Sequence, residues 1–148
     1  MTTLTTAQPI TPTVAAAGKG RVLRFRIGAV GAAVLVNSAI YLAGRTLGTD
    51  FVLSAAGNPV PHPLVLTEIA TISAVFGLLG WGSLALLERV TRRARQVWAA
   101  LATVVLALSF VPLGMDLASA DTRVLLGVMH LVVAAALFPM LRQTRVRG

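Results

Sequence analysis

The sequence predicts an all-α membrane protein, a bundle of four transmembrane helices with both termini in the cytoplasm. Three observations carry this. Hydrophobic types make up 56% of the 148 residues and charged types only 12%, about half the charge of an ordinary soluble domain. The apolar residues fall into four continuous runs near the ~20 residues that a helix needs to cross the ~30 Å hydrocarbon core. The basic residues gather at the ends of those runs that lie on one side.

The elements follow in order. Residues 1–18 are rich in Thr, Ala and Pro without apolar period and are expected to be disordered. Residues 19–26 (KGRVLRFR) form a basic collar that completes an N-terminal tail of residues 1–26. The membrane domain then covers 27–142, with helices expected at 27–48, 64–87, 97–118 and 123–141. Each run is too long and too continuous for a membrane strand, which alternates over about 10 residues. In lipid the backbone must satisfy its own hydrogen bonds, which leaves helix. Residues 49–63, with Asn58-Pro59 and two further prolines, are read as the longest loop. Residues 88–96 link the second and third helices, and 143–148 form a basic tail.

Threading follows from the net charge of +8. Cytoplasmic flanks collect Lys and Arg. Eleven of the thirteen cations, including Arg21, Arg24, Arg26, Arg92, Arg93, Arg95 and Arg142, fall on one side, where Glu88 is the only acid. Arg45 and Arg123 fall on the other side with Asp50, Glu68, Asp116 and Asp121. The eleven are therefore assigned to the cytoplasmic face of the inner (plasma) membrane, against anionic lipid headgroups. No folded reading surface accompanies them, which argues against a nucleic-acid partner.

Polar and small residues within the runs suggest contacts between helices. Asn37, Tyr41, Gly44 and Gly48 share one face of the first helix, with Gly44-x-x-x-Gly48 as a close-packing motif. Gly77 and Gly80 offer the same on the second. Depth places Arg45, Glu68, Asp116, Arg123 and His130 together as a polar cluster at the outer end. Its simpler reading is an interhelical ion-pair belt. Its functional reading is a vestibule that handles a proton or a small cation, since His titrates near neutral pH and burial raises a carboxyl pKa.

The chain has no cysteine, which removes disulfides, thiolate metal sites and thiol nucleophiles. The two histidines, His62 and His130, lack any ligand spacing. No phosphate loop or nucleophile–base motif occurs, so no catalytic residue, metal site or cofactor is assigned. The reading that follows is a non-enzymatic accessory or self-associating membrane component, whose partner is a second copy or another membrane protein. The alternative is a small proton- or cation-coupled transporter working through the outer cluster.

Leu84–Trp98 (LALLERVTRRARQVW), Leu108–Leu141 and Gly48-Thr49-Asp50-Phe51-Val52 together resemble an uncharacterised family of small four-helix actinobacterial membrane proteins. The resemblance covers about residues 27–142. It implies a four-span fold and no reaction, and marks Glu88, Arg95, Trp98, Pro112, Asp116, His130 and Pro139 as family features.

Overall fold

A computed structural model describes residues 14–55, 58–111 and 118–142. Four helices form an up-and-down bundle: α1 (Val14–Thr46), α2 (Leu66–Val90), α3 (Ala94–Ser109) and α4 (Ala120–Leu137). Two short strands, β1 (Val52–Ala55) and β2 (Asn58–Pro63), stand between α1 and α2, and a 3₁₀ segment (Phe138–Arg142) follows α4. Three helical stretches are long and apolar enough to cross a membrane: Gly20–Thr46, Leu66–Val90 and Ala120–Leu141. The fourth helix, α3, is apolar but shorter.

α1 begins well before residue 27 and takes the basic collar into its first turns. Ala15–Ala17 lead into the collar, whose Lys, Leu and Arg residues are good helix formers, and no proline lies between Pro12 and Pro59 to stop it. The tail expected at 1–26 is therefore helical from Val14, while residues 1–13 lie outside the described residues. The other end of α1 closes in a Schellman motif: Thr49 N–H donates to Gly44 C=O at 2.9 Å and Gly48 N–H to Arg45 C=O at 3.2 Å. Gly48 has φ 94°, the left-handed position that this motif reserves for glycine. Its expected packing role is thus corrected, because no atom lies within 4 Å of where its Cβ would be.

The segment read as a loop is an antiparallel hairpin. Val52 pairs with Pro63, Leu53 with His62 and Ala55 with Asn58, with a register irregularity between Leu53 and Ala55. Prolines at 59, 61 and 63 deprive alternate positions of an N–H donor, which suits a strand with one unpaired edge and blocks further strands from adding there. Leu64 N–H donates to Phe51 C=O at 2.8 Å where the hairpin meets the bundle.

α2 and α3 are joined by only Thr91–Arg93, where a longer link over 88–96 was expected. Thr91 Oγ1 accepts from Arg93 N–H at 3.2 Å and sets this tight turn. α3 was expected over 97–118; its regular helix covers 94–109, about 24 Å at 1.5 Å per residue. Its last turn tightens to i→i+3 bonds, Phe110 to Ala107 and Val111 to Leu108. Pro112 comes next, and the residue before a proline avoids helical geometry. Pro112 and Asp116 lie outside the described residues. α4 starts at Ala120, and Asp121 in its first turn complements the helix dipole. Pro139 has no N–H for an i−4 bond, and α-helix gives way to 3₁₀ beside it.

α1 packs along α2 and α4, and α3 leans mainly on α2. Two apolar clusters fill the interior. The one at the hairpin end contains Tyr41, Phe51, Leu64, Ile69, Leu126 and Met129. The one at the collar end contains Val30, Leu84, Trp98, Leu137 and Met140. Glycines permit the close approaches. A Cβ on Gly44 would come within 2.7 Å of Leu125 and 2.8 Å of Phe51, on Gly77 within 3.0 Å of Val30, and on Gly80 within 2.6 Å of Leu137. Trp98 is buried at 3% exposure and anchors α3. Its Nε1–H donates to Gly80 C=O at 2.9 Å and Ser83 Oγ at 3.0 Å.

Candidate functional site

The polar side chains sort into three levels along the bundle. At the hairpin end, Glu68 occupies the first turn of α2. One carboxylate oxygen accepts from Val65 N–H at 3.0 Å, the glutamate half of a capping box. The other lies 3.0 Å from His62 Nε2 on β2. The pair is well exposed, with His62 at 61%, so water screens it and it ties the hairpin to α2 only weakly. Arg45 turns to the end of its own helix and donates to Asp50 C=O at 3.1 Å and Thr49 C=O at 3.5 Å. A cation at a helix C-terminus is well placed for this. Asp121 lies in the first turn of α4, where Ser119 Oγ donates to Thr122 Oγ1 at 2.9 Å.

His130 is half-buried on α4. Its Nδ1 lies 2.7 Å from Leu126 C=O. A carbonyl can only accept, so Nδ1 carries the hydrogen. The ring lies 6.1 Å from that of Phe110. Depth alone placed Arg45, Glu68 and His130 in one cluster. The helix phases instead give Glu68 to His62, Arg45 to backbone carbonyls and His130 to its own helix. Arg123 lies on the α4 face toward Phe110, and Asp116 falls outside the described residues.

The middle level is one amide. Asn37 is 2% exposed. Its Nδ2 donates to Ser73 Oγ on α2 at 2.9 Å and to Met129 C=O on α4 at 3.4 Å. Three helices thus meet at one side chain. Its Oδ1 has no partner. One turn further along α1, Tyr41 donates its hydroxyl to Leu64 C=O at 2.9 Å, and its ring packs at 4.8 Å against Phe51, tilted by 44°.

The third level is at the collar end. Arg26 was expected in the headgroup layer with its neighbours. It is 3% exposed and pairs with Glu88 of α2 at 2.8 Å. The reason is helix phase: Arg26 and Val30, one turn apart, share the buried face of α1, while Arg21 and Arg24 point outward. Arg95 also turns to protein, donating to Leu141 C=O at 3.5 Å in the 3₁₀ segment that follows α4. Arg92 and Arg93 are exposed.

A model described as a family of unknown function (DUF6069) matches residues 17–147. The chain belongs to the DUF6069 family. The match extends the resemblance drawn from residues 27–142 into both basic flanks. No curated protein and no solved structure matches the chain. DUF6069 membership therefore brings a family without an assigned reaction, together with helices apolar enough to span a membrane.

Sequence reasoning missed three participants. His62 was set aside as a lone loop histidine, because nothing in the sequence announced the strand pairing that brings it to Glu68. Ser73 stands one turn before Gly77 on the same face of α2, a spacing that places it opposite Asn37. Glu88 stood out only as the one acid among the basic residues, and its partner Arg26 lies 62 positions earlier. No group of three or more His, Cys, Asp or Glu with metal-binding geometry occurs among the described residues.

Proposed function

We propose that this DUF6069 protein is a multi-pass plasma-membrane protein with both termini in the cytoplasm, acting as an accessory or self-associating component rather than as an enzyme. One observation carries the non-enzymatic part. The interior polar side chains described above are engaged in bonds that hold elements together: Asn37 with Ser73 and Met129, Tyr41 with Leu64, Arg26 with Glu88, Trp98 with Gly80 and Ser83. Groups used this way stabilise a scaffold. The threading is supported by where the arginines gather. Arg21, Arg24, Arg89, Arg92, Arg93 and Arg95 lie at the collar end, and Arg45 and Arg123 at the hairpin end, the asymmetry that retains a cytoplasmic face.

The contacts offered outward are apolar. Leu101, Val104, Val105 and Leu108 of α3 are each more than half exposed, a surface suited to lipid or to another helix. The test is the mass of the detergent-solubilised protein, with the detergent contribution subtracted. A multiple of 15.4 kDa, or a second membrane protein present in fixed ratio, is expected. A strict monomer that retains no partner contradicts the proposal. Proton flux through reconstituted liposomes is expected to equal that of empty liposomes; flux abolished by Glu68→Gln would favour the transporter reading instead.

A further inference from the structure

Asn37 joins three helices, and its hydrogen bonds are unbalanced. A carboxamide brings two N–H donors and an oxygen with two lone pairs. Nδ2 is well used, reaching Ser73 Oγ at 2.9 Å and Met129 C=O at 3.4 Å. Oδ1 is shielded from solvent and accepts from no group of the described residues. Turning the amide over does not cure this. It would set Oδ1 beside the Met129 carbonyl, which only accepts, and take Nδ2 away from both of its acceptors. Ser73, opposite on α2, is 5% exposed. Its hydroxyl accepts from Nδ2 and still has a hydrogen of its own to give. A lone acceptor and a hydrogen to give therefore stand on neighbouring groups.

We infer that a single water molecule is bound at this level, accepting from the Ser73 hydroxyl and donating to Asn37 Oδ1. The reach is right. The nitrogen and oxygen of a carboxamide stand about 2.3 Å apart by standard bond lengths. With Nδ2 at 2.9 Å from Ser73 Oγ, the gap from Oγ to Oδ1 is about 5 Å at most. A water with a bond of about 2.8 Å on either side spans that gap. The bonds then close a ring, from Nδ2 to Ser73, from Ser73 to water and from water back to Oδ1. The chemistry is also right. A buried acceptor left unmade keeps its full desolvation cost, an apolar molecule has no hydrogen to donate to it, and internal waters occupy such positions with two to four bonds each. The surroundings enclose the site. Ala33 and Tyr41, one turn to either side of Asn37 on α1, are buried, as is Ile69, one turn before Ser73. One turn after Ser73, Val30 closes over Gly77. Short side chains stand on both helices here, Ala33 on α1 and Ser73 on α2.

This site depends on the packing of α1, α2 and α4, and on neither the threading nor self-association. The experiment is a crystal structure of the full chain, grown from a lipidic mesophase, at a resolution that shows ordered water. Density for one water is expected at about 2.5–3.0 Å from both Asn37 Oδ1 and Ser73 Oγ. Asn37→Leu, which removes the acceptor and keeps the bulk, should lose that water. A second measurement reads the same bond in micelles. Asn37 and Asn58 are the only asparagines, so carbon-13 at the asparagine side-chain carbonyl, in an Asn58→Ser chain, reports Asn37 alone. A hydrogen bond lowers the carbonyl stretch, and its infrared band is expected at the position of a primary amide in water. Should Asn37→Leu fail to fold, the density and the band of the chain that keeps Asn37 decide. No water density beside Oδ1 overturns the inference, whether the oxygen is left bare or turned to a protein donor. So does a band at the position of a primary amide in an apolar solvent. A water that persists unmoved in Asn37→Leu also overturns it, since Oδ1 would then not be what holds it.

Discussion

Phe51→Ala is expected to lower the unfolding free energy by about 3–5 kcal/mol, the usual cost of deleting a buried aromatic side chain. Phe51 is fully buried. Its ring packs at a tilt against Tyr41 and fills the space that Gly44 leaves open. It is the side chain by which the hairpin plugs its end of the bundle. The residue also sits at φ 50°, in the left-handed region that costs a bulky residue about 1–2 kcal/mol. Packing must outweigh that strain. The strain gives the test a signature: Phe51→Gly removes the same ring but suits the backbone, so it should be less damaging than Phe51→Ala by about 1 kcal/mol. Glycine normally ranks below alanine, and the reversal is the informative result. Denaturation in mixed micelles, followed by the fluorescence of Trp81 and Trp98, measures both. A loss below 1 kcal/mol for Phe51→Ala would show that the hairpin does not close the bundle.

Glu88→Ala is expected to cost about 3–5 kcal/mol in the same assay, because it leaves a buried guanidinium without its counter-charge. Arg26 is almost wholly shielded and Glu88 is 15% exposed. The pair itself is a different matter. Two buried charges lose hydration that their attraction only partly offsets, and apolar replacements of similar size are often neutral. Arg26→Met combined with Glu88→Leu should therefore recover most of the loss from Glu88→Ala. If the single change proved harmless, Arg26 would be reaching water, and its place in the headgroup layer would be restored.

The spans were legible because lipid makes a simple demand. A continuous apolar run of about 20 residues has one folded solution in a bilayer, and all four expected helices reappear, α2 and α4 with ends shifted by a few residues. The α1 start was misplaced because the basic collar was read for its charge and not for its helix propensity. The hairpin was not legible. Its prolines and its Asn-Pro step are turn signals, and what makes the segment a ribbon is the burial of Phe51 and Leu64 beneath it, which local composition does not encode. The polar cluster failed for a related reason. Depth can be counted along each helix from its ends, but azimuth around the helix decides which side chains meet. Asn37 escaped this difficulty because Tyr41 and Gly44 on the same face already gave its direction. Arg26 did not, since four cations in eight residues conceal the one that turns inward.

Threading is the central claim of the proposed function, and the cysteine-free chain allows it to be tested without background. Val60 in the hairpin and Val90 at the end of α2 are 67% and 77% exposed, so either can carry a single cysteine with little disturbance. A membrane-impermeant maleimide applied to intact spheroplasts is expected to label Val60→Cys and to reach Val90→Cys only after the membrane is opened. Labelling of Val90→Cys in intact spheroplasts, alone or equally with Val60→Cys, would contradict a bundle whose collar end faces the cytoplasm.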